Sequence, residues 1–240
     1  MCYHVQLLPQ TEFQTVFEKD YELIGEYDLA YHLNGFNHPY LPVITMQEPG
    51  AIQLFQWGLI PHWAQNRDKA AELQNFTLNA TCEHIFEKPS FRDSALKKRC
   101  VIPVGGFFEN RHEGKLKYPY FIFPAGGEKV LFLGGLYSQW VDKETGEVLN
   151  TCTIITTPAN ALLSKIHNTK KRMPLVFTRE ATQQWLNPEL LPQKVKEMML
   201  PGNETLLAAH TISRLVNQGR FKNTNVPEVS EPVAYPELNN

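Results

Sequence analysis

The chain has 240 residues, of which 42% are hydrophobic and 20% charged, with a formal net charge of −2 and a pI near 6.5. That length fits one large domain or two small ones, and the apolar content is enough for a real core. No apolar run approaches the ~18 residues of a membrane span. No basic-then-apolar leader opens the chain, and the charge excludes a globally basic nucleic-acid protein.

Residues 1–9 carry a short apolar stretch suited to a strand, and residues 11–33 read as partly helical. Residues 35–50 contain Gly35, Pro39, Pro42, Pro49 and Gly50 and are expected to form an extended loop. Gln53–Gly58 alternates as a strand ending in a turn, and Ile60-Pro-His-Trp63 follows as a rigid corner. Residues 66–75 and 91–99 are helix-compatible. Cys100–Val104 reads as a buried strand that leads into Gly105-Gly106-Phe-Phe-Glu109. Tyr118–Phe123, Val130–Tyr137, Thr151–Thr157, Met173–Phe177 and Leu206–Ile212 are β-rich. Asn160–His167 suggests a short helix, and Thr178 caps another that runs to Leu186. Strands outnumber helices and do not alternate with them. The expected class is therefore α+β, a single domain over residues 1–224 with a barrel-like mixed or antiparallel sheet. Residues 225–240 hold three prolines, three glutamates and no basic residue, and read as an extended, poorly packed tail.

The four cysteines, Cys2, Cys82, Cys100 and Cys152, form no CxxC pair and have neither disulfide-framework nor zinc-site spacing. The histidines likewise show no metal spacing. No metal or organic cofactor is expected, and a reducing, cytoplasmic setting fits best.

Four residues stand out chemically. Met1-Cys2 invites removal of Met1, because cysteine is small. Cys2 then carries a free amine, with an ordinary pKa near ~7.7–8.0, and a thiol near ~8.5. Such an aminothiol can condense with an aldehyde and close a five-membered thiazolidine. Glu109, after an apolar stretch, is placed for desolvation and for acid/base work. His167, in a polar loop between a helix and a strand, can shuttle protons near neutrality. Asn79 can hydrogen-bond a substrate or cap a turn. Around them, Trp57 and Trp63 are candidates for base stacking or for the core. Two basic clusters are candidate phosphate contacts or solvated surface: Lys97-Lys98-Arg99, with Lys88 and Arg92, and Lys165 with Lys170, Lys171 and Arg172.

In order, Met1-Cys2, Phe55–Trp63, Leu78-Asn-Ala80, Ser90-Phe-Arg92, Lys98–Pro103, Gly106–Glu109, Ile166-His-Asn and Lys171-Arg-Met-Pro174 resemble the SRAP family, the SOS-response-associated peptidases that shield abasic sites in single-stranded DNA. The resemblance spans about residues 2–215. It implies a compact α+β domain with a positively charged cleft, acting as a monomer on single-stranded DNA. The DNA would be held covalently as a thiazolidine, in the cytoplasm and at the nucleoid during DNA damage. In that family's chemistry Cys2 supplies amine and thiolate, Asn79 orients the amine and the open sugar, Glu109 relays protons, and His167 assists ring opening and reversal. Two positions depart from the family pattern. Thr81 stands where an arginine commonly grips a phosphate, and His4 stands where an arginine is frequent. Arg67, Arg92, Lys170 or Arg172 would then have to supply the missing charge. A thiol peptidase using Cys2, His167 and Asn79, or a binding module that forms no crosslink, are the alternatives.

Overall fold

A computed structural model of the chain describes residues 2–12, 22–200, 206–219 and 222–238. Its centre is a closed ring of five strands: β4 (Tyr40–Thr45), β5 (Ala51–Trp57), β7 (Arg99–Val104), β10 (Leu131–Val141) and β11 (Val148–Pro158). Around the ring, β5–β4, β4–β7, β7–β10 and β10–β11 are antiparallel. With an odd number of strands the closing pair must then be parallel. It is, through Thr151 opposite Gln56 and Cys152 opposite Trp57. The β-branched run of β11, all buried from Thr151 to Thr157, suits this doubly covered position.

A second sheet runs in the order β14 (Leu207–Thr211), β9 (Leu116–Pro124), β8 (Gly106–Glu113), β1 (His4–Leu7), β3 (Ala30–Asn34). β2 (Glu22–Ile24), β6 (Asn79–Thr81), β12 (Arg172–Pro174) and β13 (Val176–Phe177) extend the barrel wall. Besides the helical residues 10–12, five α-helices lie among the described residues: α1 (Arg67–Phe76), α2 (Arg92–Lys97), α3 (Ala161–Ile166), α4 (Arg179–Leu186) and α5 (Pro192–Met198). The expected α+β class with a barrel-like mixed sheet is what the chain forms.

Three local expectations differ. Residues 35–50 are not a loop: a 3-10 turn at Gly35–Asn37 leads into β4, which is buried from Leu41 to Thr45. Pro42 is tolerated there because the β7 pairing reaches only Ile44 and Thr45, so the missing N–H faces no ladder partner. Within residues 11–33, expected to be partly helical, residues 11–12 are helical, β2 and β3 are strands, and 13–21 lie outside the described residues. The segment from 225 to 238 is packed. Val229 is fully buried with Phe108 and Phe121, Pro232 bridges to Ile212, and the Tyr235 hydroxyl donates to the Ile212 carbonyl at 2.8 Å. The prolines set 3-10 turns there, and Val229 and Tyr235 anchor the segment from between them.

Gly106 is what lets β8 begin flush against β9. A Cβ at that position would come within 2.5 Å of the Phe121 ring and 2.6 Å of the Ile122 carbonyl oxygen. Gln6 pairs with Gly106 and Val5 with Phe107, antiparallel. Residues before Val5 therefore run alongside those after Phe107, which brings Cys2 toward Glu109.

Candidate active site

Cys2 lies just ahead of β1 and is fully buried. Its carbonyl accepts a hydrogen bond from the Asn79 amide at 2.8 Å, and its thiol lies 3.7 Å from the His4 carbonyl oxygen. Asn79 opens β6, which runs parallel to β11 with Asn79 opposite Ile154. Its amide oxygen is buried and has no hydrogen-bond partner among the described residues. A buried acceptor left open costs ~1–3 kcal/mol. A donor arriving beside Cys2 would recover that cost.

Glu109 sits on β8 with its side chain 14% exposed, and its Oε2 lies 3.5 Å from Nδ1 of His167. His167 follows α3 as its C-terminal cap, and Nδ1 lies 2.8 Å from the Arg172 carbonyl oxygen. The Arg172 N–H also points at Nδ1, from 3.4 Å; the carbonyl contact is the shorter and a carbonyl only accepts, so Nδ1 carries the hydrogen and Nε2 is the ring's basic nitrogen. Two asparagines hold this geometry. Asn160 caps α3 by accepting from the Leu163 N–H at 2.9 Å. Asn168 clamps the end of α3 to β8: its Oδ1 accepts from the His112 N–H at 3.0 Å, and its Nδ2 donates to the His112 carbonyl at 2.7 Å.

Burial sets the protonation. It pushes the Cys2 thiol up to about 12, and the nearby Glu109 carboxylate adds to the rise. Burial raises the Glu109 carboxyl and depresses His167, with the Arg172 carbonyl partly opposing that depression. The site therefore disfavours the charged form of all three groups, thiolate, imidazolium and carboxylate. Such a set suits proton relay around a neutral condensation. A standing thiolate, as thiol peptidases use, is disfavoured.

Not every other predicted site residue gathers here. Trp57 is fully buried and its indole N–H donates to the Leu78 carbonyl at 2.8 Å, so it is core and cannot stack on a base. Trp63 is 41% exposed and shares the Pro89 turn with Lys88 and Arg92. Lys98 ends α2, half-buried, while Arg99 of the same cluster is inside the protein. Its guanidinium donates to the carbonyls of Trp185, Leu96 and Asn187 at 2.7–3.1 Å, closing the ends of α4 and α2. Arg67 is paired to Asp142 and Glu147, at the opposite end of β11 from Thr156. The Thr81 hydroxyl is buried, out of reach of a phosphate. Lys165, Lys170 and Lys171 are exposed and flank His167, whereas Arg172 is occupied by a two-point ion pair with Glu83. Beside β1 a cleft of about 700 Å³ opens, lined in part by His4, His32, Asn34 and Phe36. Asn160, Asn168 and Glu83 were not singled out as site residues. Asn168 adjoins His167 and Glu83 closes the Asn79–Glu83 run, but neither adjacency specifies a partner.

A closed mixed barrel that buries a cysteine near its N-terminus beside a glutamate–histidine pair defines the α+β class of the protein. The family profile described as "SOS response associated peptidase (SRAP)" matches residues 1–219, and the chain belongs to that family. It is similar to the abasic site processing protein YoqW of Bacillus subtilis, with 35% identity over 212 residues, 86% of this chain and 88% of that protein. It is similar to the abasic site processing protein HMCES of Gallus gallus at 32% identity over 197 residues, 74% of this chain and 56% of that longer protein. A crystal structure of a protein from Bacteroides thetaiotaomicron superposes with a TM-score of 0.88 at 36% identity, covering 97% of this chain and all of that one.

Proposed function

We propose that the protein captures abasic sites in single-stranded DNA by forming a thiazolidine crosslink through Cys2 once Met1 is gone. The observation that carries this reading is the Asn79–Cys2 hydrogen bond, which holds a buried cysteine beside Glu109 and His167. The names of the relatives, abasic site processing proteins, support the substrate.

The chemistry balances without an oxidant or a metal. The sugar of an abasic site opens to an aldehyde, with Nε2 of His167 taking the anomeric hydroxyl proton and passing it to the ring oxygen, which leaves as a hydroxyl. The Cys2 amine adds to the aldehyde carbon, and Glu109 in its acid form protonates the leaving oxygen, so that water departs and an iminium remains. The iminium's positive charge, beside a thiol held protonated by burial, favours loss of the sulfur proton to the Glu109 carboxylate. Sulfur then bonds to the iminium carbon and the nitrogen becomes a secondary amine. The order follows from the electrostatics: amine first, thiol second. Asn79 offers its open Oδ1 to the amine. Lys165, Lys170 and Lys171 steer the phosphates. All four site residues come from one chain, which suits a monomer working on DNA in the cytoplasm.

The deciding experiment is intact-mass analysis after mixing the protein with single-stranded DNA bearing one abasic site. Wild type is expected to give an adduct that survives denaturation, Cys2→Ala none. Glu109→Gln should form it ~10²–10⁴-fold more slowly, the usual weight of a general acid/base. An adduct of the same yield in Cys2→Ala would end this reading. No adduct in a wild type shown to lack Met1 would favour a module that binds without crosslinking.

A further inference from the structure

We infer that Glu83 is a positioning residue for the reaction: with Arg172 it latches the wall that carries Asn79 to the wall that carries His167. The inference rests on the proposed function for its consequence in rate, but its geometry is independent of substrate.

The site has two walls of separate origin. One is β6 and the 3-10 turn after it, Cys82–His84, which holds Asn79, Thr81 and Glu83. The other is the run from α3 to β12, which holds His167 and Arg172. Both walls lean on β11, where Thr81 pairs with Thr156 and Arg172 with Pro158. Across the gap, the two terminal nitrogens of Arg172 meet the two carboxylate oxygens of Glu83, and Nη2 also donates to the Thr156 carbonyl at 2.6 Å. A forked guanidinium–carboxylate contact fixes orientation as well as distance. Nearby, the Arg172 carbonyl receives Nδ1–H of His167. The latch therefore acts on the imidazole through one residue: move Arg172, and the acceptor that sets the ring's tautomer moves with it.

The alternative role for the pair is electrostatic masking, in which Glu83 merely covers a cation that DNA phosphate would otherwise take. The Arg172 side chain is 16% exposed and that of Glu83 43%, so solvent reaches the acid while the base is enclosed. Nε of Arg172 is buried without a hydrogen-bond partner, enclosed on the protein side rather than offered outward. An enclosed, oriented guanidinium is a strut.

The test uses the full chain with Glu83→Gln, Glu83→Asp and Arg172→Lys, each checked for folding by thermal melt. Nitrogen chemical shifts of the His167 ring report its tautomer without any DNA. Wild type is expected to show a single Nδ1–H form, and Glu83→Gln a mixture. Adduct formation at saturating abasic DNA should fall at least ~10-fold in Glu83→Gln, with an altered pH profile and unchanged affinity for intact single-stranded DNA. Glu83→Asp, which keeps the charge, should recover part of the rate. If Glu83→Gln does not fold, Arg172→Lys, which keeps the charge and loses the fork, carries the same expectations. A folded Glu83→Gln with wild-type tautomer and rate would overturn the inference. So would tighter DNA binding with a salt slope steeper by about one, the outcome for a mask. Were wild type to form no adduct at all, the proposed function would fail, and the tautomer measurement would still decide the latch.

Discussion

Glu109 is held where its charge is costly. Burial raises its carboxyl above the ordinary value, so its contribution to stability is full below the unfolded pKa and is lost as pH rises through the folded one. Glu109→Gln should therefore melt higher than wild type at pH 7–8, by about 1 kcal/mol in stability, while forming adduct far more slowly. The gap should close below pH 4. Equal melting curves across that range would remove the desolvation argument. The four residues that the structure draws together stand out in the sequence because each has a type that the proposed reaction needs and a neighbourhood that announces itself: Cys2 near the terminus, Glu109 after an apolar run, His167 between helix and strand, Asn79 before a turn. Exposure was not legible. Trp57 and Trp63 flank the same Gly58–Pro61 corner, yet one is fully buried and the other 41% exposed. Gly58 turns the chain between them, with φ at +110°. Arg99 reads as surface beside two lysines, but three helix-end carbonyls draw it inside.

At the scale of elements, α3 is a helix of six residues, too short to hold its own end in place. Its position depends on Asn160 at one end and Asn168 at the other. Asn160→Ala should cost ~1 kcal/mol of stability, as lost N-caps do. Asn168→Ala should cost less in stability, because its hydrogen bonds are only part-buried, and more in adduct rate, because β8 and His167 lose their tie. A rate unchanged in Asn168→Ala, measured by single-turnover mass analysis, would contradict the clamp. Strands such as β7, β10 and β11 were legible from their β-branched, buried runs. β4 was not, since Pro39, Pro42 and Pro49 mark a loop in any local reading. Only the tertiary partner of each backbone group shows that Pro42 falls where no donor is required. Residues 225–238 misled for the same reason: proline-rich sequence describes stiffness, and whether a stiff segment is packed depends on what it lies against.

For the molecule as a whole, two global responses follow. The formal charge is −2, so on the proposed function attraction to DNA comes from local clusters such as the lysines beside His167 rather than from a general field. The encounter complex should weaken as salt rises, and Lys170→Ala or Lys171→Ala should each lower the salt slope by about one while leaving the covalent product resistant to salt. In acid, His4 and His32 dominate. Their rings meet at 2.9 Å, and burial depresses them to about 4 and about 3, with His4 adding to the effect on His32. Depressed bases give stability that is present above the unfolded pKa and is lost as pH falls toward the folded values. Melting temperature should drop between pH 6.5 and 4, and the drop should be shallower in a His4→Asn, His32→Asn double variant.

The burial of Cys2 also sets a clock on synthesis. In the finished fold Cys2, whose amine the proposed function needs, is fully enclosed, and β1 is zipped between β3 and β8. β8 begins at Gly106, so that enclosure cannot form until more than a hundred residues have been made and have left the ribosome. On the proposed function, which needs the Cys2 amine, trimming of Met1 is expected on the nascent N-terminus, before β1 is paired. Slowing the aminopeptidase during expression should leave a fraction that keeps Met1 and stays inert even when the enzyme is added back to the folded protein.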